Sequence, residues 1–391
     1  MTPATIIVAA VAAILMLPAL SDLVCLVRSF RRRDGRAGPA QSPRLLFLVP
    51  AHNEEQLIDA CARSLLTQRY PADRFDVFVI ADNCTDDTAA RARAAGAACL
   101  ERADLALPGK PRAIAWALAQ VPLETWDAMA IIDADTVVDP DFAAALARAA
   151  PLNHRVLQAY FDVANPEDNS LTRMAAVLAA ANFRFAYPLK RRAGVNAPLL
   201  GNGMCIGSGV LAAHGWKAFT IAEDWELYAL YTTQGVPIES VESARLFAQE
   251  ARSLGQSSSQ RQRWTAGKLT VLIRHLGALI RSPHIGLAQK LDSAAELSAP
   301  GPVVQLGLVM AASAGTWLLR VPGAEWLTVA LWVPILRLAT YGLIGLATQP
   351  HPLRTAAAFA FLPVYAAWRL GTALVSLKMV GDKPWVSTAR H

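Results

Sequence analysis

Met129-Ala130-Ile131-Ile132-Asp133-Ala134-Asp135 is a short apolar run closed by two carboxylates. A run of this length, bounded by polar residues, reads as a buried strand of a parallel sheet. Two further segments have the same form: residues 45–49 end at Pro50-Ala51-His52-Asn53-Glu54, and residues 75–81 end at Asp82-Asn83. Helical patterns lie between and after them. Residues 54–68 carry Leu57, Ile58, Cys61 and Leu65 at helical spacing, residues 85–98 are rich in Ala and Arg, and residues 110–119 form a third helix. This alternation implies an α/β domain with an open, largely parallel sheet. Ligands of such sheets bind beyond the carboxyl ends of the strands. Three strand ends here deliver polar groups to one edge.

Composition adds a second compartment. The 391 residues are 54% apolar and only 17% charged, too apolar for a purely soluble protein of this size. Residues 4–27, 301–319, 326–347 and 355–377 each approach the roughly 20 apolar residues that cross a bilayer. The first is too long, and too weakly basic before its apolar run, for a cleaved signal peptide. Arg28, Arg31, Arg32, Arg33 and Arg36 follow it, so it reads as a signal anchor that leaves the central domain in the cytosol. Much of the net charge of +6 is this cluster, which suits anionic headgroups and argues for no nucleic acid partner. Five cysteines without C-x-x-C spacing read as free thiols.

The domain plan is therefore an anchor at 1–27, a basic linker at 28–43 and a globular domain at 44–268. An amphipathic segment at 269–300, carrying Arg274, Arg281, His284, Lys290 and Asp292, is expected along the membrane surface. Membrane helices at 301–377 and a tail at 378–391 complete the chain.

The strand-end residues carry the chemistry. Asp133 and Asp135, on one side of an extended backbone, can ligate a hard divalent cation that binds diphosphate oxygens. Asp82 can accept hydrogen bonds from a nucleobase or ribose, or cap the helix expected at 85–98. Lys110 opens a helix and can meet a phosphate, or stay solvated. Glu223-Asp224 precedes a helix, where an acid favours the dipole or serves as a general base toward a hydroxyl. In Gln260-Arg261-Gln262-Arg263-Trp264, the Arg263 fork can clamp a leaving diphosphate. Trp264 offers a plane for a sugar or base, and Gln260 a donor and an acceptor. As structure alone, the same residues are a helix start with a buried Trp.

From about residue 45 to 268 the chain resembles the family 2 glycosyltransferases, which have a GT-A (Rossmann-like) fold. It is most similar to the membrane-integrated group that includes bacterial polysaccharide synthases and ceramide glucosyltransferase. The residues that carry the resemblance are Val49-Pro50-Ala51-His52-Asn53-Glu54-Glu55, Asp82, Asp133-Ala134-Asp135, Glu223-Asp224 and Gln260-x-x-Arg263-Trp264. It implies inverting transfer from a nucleotide sugar, usually UDP-linked, with Mg²⁺ or Mn²⁺. Ala51, Glu54 and Asp82 would hold the nucleotide, and Asp135 with Asp133 the metal. Asp224 would be the base, and Gln260, Arg263 and Trp264 would cover the diphosphate and acceptor. Gly201-Asn202-Gly203-Met204-Cys205 resembles the loop lining the acceptor side, where Gly203, Glu223 and Trp264 are expected. His52 departs from a common Tyr, and Ala81-Asp82-Asn83-Cys84 from D-D-G-S.

The expected function is transfer to a lipid or lipid-linked glycan acceptor at a bacterial inner membrane, because three or four spans are few for threading a polymer. Processive polysaccharide synthesis is the alternative, and a non-catalytic membrane scaffold the alternative of another class. Lys378, Lys383, Arg390 and the tail at 385–390 place the C-terminus inside, so the stretch at 355–377 is expected not to cross fully. Arg337 and Arg369 lie within apolar stretches, facing either a bundle interior or the headgroups.

Overall fold

The computed structural model describes residues 3–30, 42–318 and 324–381. Helix α1 (Pro3–Ser29) precedes β1 (Leu45–Ala51), α2 (Ile58–Leu66), β2 (Phe75–Asp82), α3 (Thr88–Ala94) and β3 (Ala98–Arg102). Next come α4 (Lys110–Leu118), β4 (Ala128–Ile131), β5 (Thr136–Val138), α5 (Phe142–Ala147) and β6 (Val156–Val163). Helix α6 (Ser170–Ala181), a π-helical turn and α7 (Tyr187–Ala193) lead to β7 (Met204–Gly207), α8 (Ser208–His214), α9 (Glu223–Thr233) and β8 (Ile238–Ala248). The rest is helical: α10 (Leu254–Arg281), α11 (Leu287–Ser298), α12 (Pro302–Leu318), α13 (Ala324–Ala347), α14 (Pro352–Ala357) and α15 (Leu362–Ser376).

The chain divides into two compact units. The α/β unit holds Asp34–Asn165 and Asn196–Glu250, and the helical unit holds Met1–Arg33, Pro166–Val195 and Ala251–Gly381. Among the described residues the eight strands lie in one sheet of the α/β unit, in the order β3-β2-β1-β4-β7-β6-β8-β5. Strands β3, β2, β1 and β4 are mutually parallel, and β7 runs antiparallel to both β4 and β6. The fold is α/β, with a largely parallel half-sheet as the sequence pattern predicts. In β1, Leu45, Phe47 and Val49 pack with Ile58, Cys61 and Leu65 of α2 and Phe142 of α5. Leu46 and Leu48, on the opposite face, are buried as well. Both faces are therefore covered, and each such side chain contributes about 1.5–3 kcal/mol.

Two local expectations change. The helix expected over 85–98 is shorter, running Thr88–Ala94 with Asp87 as its N-cap, so Asp82 does not cap it. Gly96, at φ +100, turns the chain, and β3 follows where a helix was expected. The two acids do not lie on a continuing strand: the chain turns at Ala134 and Asp135, with Thr136 N–H donating to the Asp133 carbonyl at 3.1 Å. A strand that continued would carry the two carboxylates away from the sheet edge.

In the helical unit, α10 runs unbroken from Leu254 through residues 268 and 269, where the domain plan placed a boundary. It packs against α11 and α15. Asp292, expected on a polar outer side, is buried: Lys190 Nζ and Ser21 Oγ both donate to its Oδ1, the latter at 2.7 Å. Arg337 Nε donates to Asp22 Oδ2 at 2.6 Å, and Tyr341 Oη to the same atom at 2.8 Å. Arg369 donates to Thr265 Oγ1 at 2.9 Å. Both arginines thus have hydrogen-bond partners on neighbouring helices, as charges in apolar surroundings require.

Among the described residues, three helices are long and apolar enough to cross a membrane: Ile6–Ser29, Glu325–Ala347 and Pro352–Met379. The last is long enough to cross, although a 3-10 turn at Ala358–Phe361 interrupts it. Helix α12 is about 26 Å long at 1.5 Å per residue and is short for a bilayer by itself. It meets α11 at an 88° bend, and the pair makes a fourth span only if counted together. Arg31, Arg32, Arg33, Arg36, Lys383, Arg390 and the tail motif lie outside the described residues.

Candidate active site

The carboxyl ends of β1, β2 and β4 bring their loops to one edge. At the end of β1, Ala51 is buried in the core, and Glu54 N–H donates to Thr88 Oγ1 at 2.8 Å. Asn53 and Asn83 hold positive φ, 54° and 51°, a conformation asparagine tolerates better than other side chains. Each spends its amide on the opposite loop: Asn53 Oδ1 accepts from Thr85 N–H at 2.8 Å, and Asn83 Oδ1 from Asp104 N–H at 2.7 Å. His52 Nδ1 bonds the Asp82 carbonyl at 2.7 Å, which makes that nitrogen the protonated one.

Asp82 ends β2 and is almost fully buried. Arg102 donates to its Oδ1 at 2.6 Å, Asn83 Nδ2 to the same oxygen at 3.1 Å, and Gly109 N–H to its Oδ2 at 3.3 Å. Arg102 also bonds Asp104 and the Leu107 carbonyl, each at 2.7 Å. Three protein donors therefore occupy the carboxylate that was expected to meet a base or ribose. Its visible work is to fold residues 102–109 back toward the N-terminus of α4.

That helix begins at Lys110, and the lysine is mostly buried and paired. Its Nζ donates to Asp133 Oδ1 and to the Gly201 carbonyl, both at 2.6 Å, and lies 3.5 Å from Glu223 Oε1. Burial pulls the ammonium down, but the Asp133 and Glu223 carboxylates outweigh it and hold the pKa raised. Glu223 and Asp224 occupy the first turn of α9. Burial pushes the Glu223 carboxyl up against the opposing pull of Lys110. Burial, then the neighbouring Glu223 charge, pushes Asp224 up to about 7, although Trp225 N–H donates to its Oδ1 at 2.8 Å. A carboxylate of that basicity is suited to take a proton near neutral pH.

The two glycines of the 201–203 turn differ in what surrounds them. A methyl group at Gly201 would stand 3.4 Å from Asp224 Oδ2 and 3.7 Å from Lys110 Nζ. One at Gly203 would stand 2.4 Å from Leu246 Cδ2 and 2.9 Å from Ala159 Cβ. Gly203, expected on the acceptor side, is a packing glycine of the sheet, and Gly201 is the one beside the acid.

Among the described residues no group of three or more His, Cys, Asp or Glu side chains forms a metal cage. Asp133 and Asp135 are half-buried on one turn, with Ala134 between them in the core. Two carboxylates on one turn are a donor set that fits Mg²⁺ or Mn²⁺, which bind through one or two acids plus phosphate oxygens. Gln260, Arg263 and Trp264 lie in the helical unit on α10, whose N-cap is Ser253. Trp264 is exposed, and Arg261 stacks over its ring at 4.8 Å, so it is not the buried Trp of a helix start. The sequence pattern did not single out Arg102, Thr136, Gln158 or Asn202. Only Asn202 sat in a stretch already of interest.

Residues 43–267 match the family described as glycosyltransferase like family 2. A beta-monoglucosyldiacylglycerol synthase of Synechocystis sp. is 30% identical over 203 residues, 49% of this chain and 41% of that protein. Glucomannan 4-beta-mannosyltransferase 7 of Arabidopsis thaliana is 23% identical over 276 residues, 66% of this chain and 48% of that one. The chain thus spans about half the length of the curated relatives it matches. The structure of a mannosyltransferase from Pyrobaculum calidifontis, in complex with GDP-Man and Mn²⁺, superposes with a TM-score of 0.56 at 19% identity. It covers 94% of this chain and 98% of its own.

Proposed function

The chain belongs to glycosyltransferase family 2, and on that premise we propose that it moves a hexose from a nucleotide sugar, UDP-linked, to a membrane lipid acceptor. The observation that carries this is Asp224: a carboxyl raised to about 7, beside the Gly201 turn and the Lys110 ammonium. Asp224 takes the proton of the acceptor hydroxyl. The hydroxyl oxygen bonds to the anomeric carbon from the face opposite the diphosphate, the bond from that carbon to the phosphate oxygen breaks, and the configuration inverts. The nucleoside diphosphate leaves. Lys110 holds Asp133 and the Gly201 carbonyl in place through its two short hydrogen bonds. A divalent cation, Mg²⁺ or Mn²⁺, would be held by Asp133 and Asp135 and would neutralise the charge gathering on the diphosphate. Arg263, Gln260 and Trp264 are assigned to the donor by the likeness of their motif alone.

Two things support a lipid acceptor. The Synechocystis relative is named for a glucosyl lipid, and among the described residues three helices are long and apolar enough to cross a membrane. The exposed Ile273 and Ile280 beside Arg274 and Arg281 on α10 support the proposal that this segment lies at the membrane surface. Arg28, closing α1, supports a cytosolic catalytic side in a bacterial inner membrane. The glucomannan relative favours a second reading, processive addition of sugar to a growing chain.

The test is turnover by the detergent-solubilised full chain with diacylglycerol vesicles, Mn²⁺ and a panel of UDP- and GDP-hexoses, with products read by mass spectrometry. A lipid heavier by one hexose is expected. A ladder of oligosaccharides selects the second reading, and no turnover or binding of any donor ends both.

A further inference from the structure

We propose that Asn202 is a positioning residue for the transfer: its side chain fixes the Asp133/Asp135 pair to the glycine turn that abuts Asp224. The inference deepens the reaction proposed above and rests on it.

Asn202 is buried between two glycines of positive φ, Gly201 at 78° and Gly203 at 72°. Its Oδ1 accepts the backbone N–H of Asp133 at 3.2 Å, and its Nδ2 donates to Thr136 Oγ1 at 2.8 Å. Thr136, fully buried, donates in turn to Asp135 Oδ1 at 3.3 Å. The donor and acceptor inventory makes this chain directional. A hydroxyl has one hydrogen, and because Thr136 Oγ1 receives the amide hydrogen, its own is free to point at Asp135. One amide therefore reaches both acids, Asp133 through its backbone and Asp135 through a hydroxyl relay.

The other end of Asn202 is fixed just as closely. Its carbonyl accepts from Gln158 Nε2 at 2.8 Å, and Gln158 Oε1 accepts Leu200 N–H at 2.9 Å. Gly203 N–H donates to the Ile131 carbonyl at 2.8 Å, which ties the turn to the end of β4. The residue between these anchors is Gly201, whose carbonyl holds Lys110 and whose Cα faces Asp224. Both hydrogen bonds of the Asn202 amide thus go to the metal-side turn, while its backbone forms part of the base-side turn. A buried side chain needed only to fill space requires neither hydrogen bond. Partners that orient ligating carboxylates typically matter about 10- to 100-fold for metal affinity or activity.

The test uses the full chain in detergent with Mn²⁺ as the probe, in the presence of UDP, read by the electron paramagnetic resonance of free Mn²⁺. Melting temperature and turnover are measured on the same samples. Thr136→Val cuts the relay to Asp135, and Asn202→Ala removes both arms. Each is expected to weaken Mn²⁺ binding by about 10- to 100-fold. The double variant is expected to be no weaker than Asn202→Ala alone, because Thr136 acts downstream of the amide. Variants that bind Mn²⁺ as tightly as the parent overturn the proposal. If Asn202→Ala does not fold, Thr136→Val decides alone. A parent that binds no Mn²⁺ with any nucleotide overturns the proposed function itself, which is a different result.

Discussion

Lys110 Nζ donates to Asp133 Oδ1 at 2.6 Å, and the same ammonium lies 3.5 Å from Glu223. One lysine thereby ties the turn after β4 to the helix that carries Asp224. Lys110→Met leaves two acids facing each other without their cation, and breaking such a partly buried pair costs about 2–4 kcal/mol. A lower melting temperature is expected together with lost turnover. Lys110→Arg is expected to restore the melting temperature more fully than the rate, because a planar fork cannot reproduce a point charge aimed at three oxygens.

Asp224 must be ionised to take a proton, and its pKa is raised to about 7. Below that pH the carboxyl is protonated, so kcat/KM is expected to fall about tenfold per pH unit on the acid side and level off above it. Glu223 supplies part of the shift as a like charge. Glu223→Gln removes that charge, and the acid limb is expected to move to lower pH. A limb that stays in place in the variant, measured with the same donor and acceptor, contradicts this coupling.

Arg102 and Asp82 form an ion pair at 2.6 Å, with side chains only 5% and 6% exposed. At that burial, Arg102→Met leaves an uncompensated carboxylate, with an expected loss of about 3–5 kcal/mol. Thermal melts report this directly. Arg102→Lys is expected to recover little, because the guanidinium also spans Asp104 and the Leu107 carbonyl.

Gly201→Ala and Gly203→Ala separate chemistry from packing. At Gly203 the new methyl meets Leu246 and Ala159 at distances that force the core to move, an overpacking cost of about 1–3 kcal/mol besides the strain of positive φ. A clear loss of melting temperature is expected. At Gly201 the methyl has room but stands against Asp224 Oδ2, so the rate is expected to fall further than the melting temperature.

Much of this was legible in the sequence because buried parallel strands are apolar runs that stop abruptly. Residues 45–49, 75–81 and 129–132 stop at Pro50, Asp82 and Asp133, and the loops after those stops line the candidate site. Edge strand β3 was not legible, because Ala98–Arg102 is short, partly exposed and carries no period. Arg102 was lost with it. The sequence offers Lys110 a phosphate or solvent but does not show its pairing with Asp133, which lies 23 residues away. Asn202 gave no signal of its own, since an amide between glycines reads as a turn until its partners are known. The arginines inside the apolar stretches could be read either way until Asp22 and Thr265 were seen beside them.

The most direct measurement compares the parent with Asp224→Asn, both as full chains in detergent with diacylglycerol vesicles, Mn²⁺ and the hexose donor the parent uses. Donor binding and glycolipid formation are followed together. The expected result is that the variant binds the nucleotide sugar as the parent does and forms glycolipid at least about 100-fold more slowly. A variant that makes the same lipid at the parent's rate would contradict the assignment of Asp224 as the base, and with it the chemistry proposed for this site.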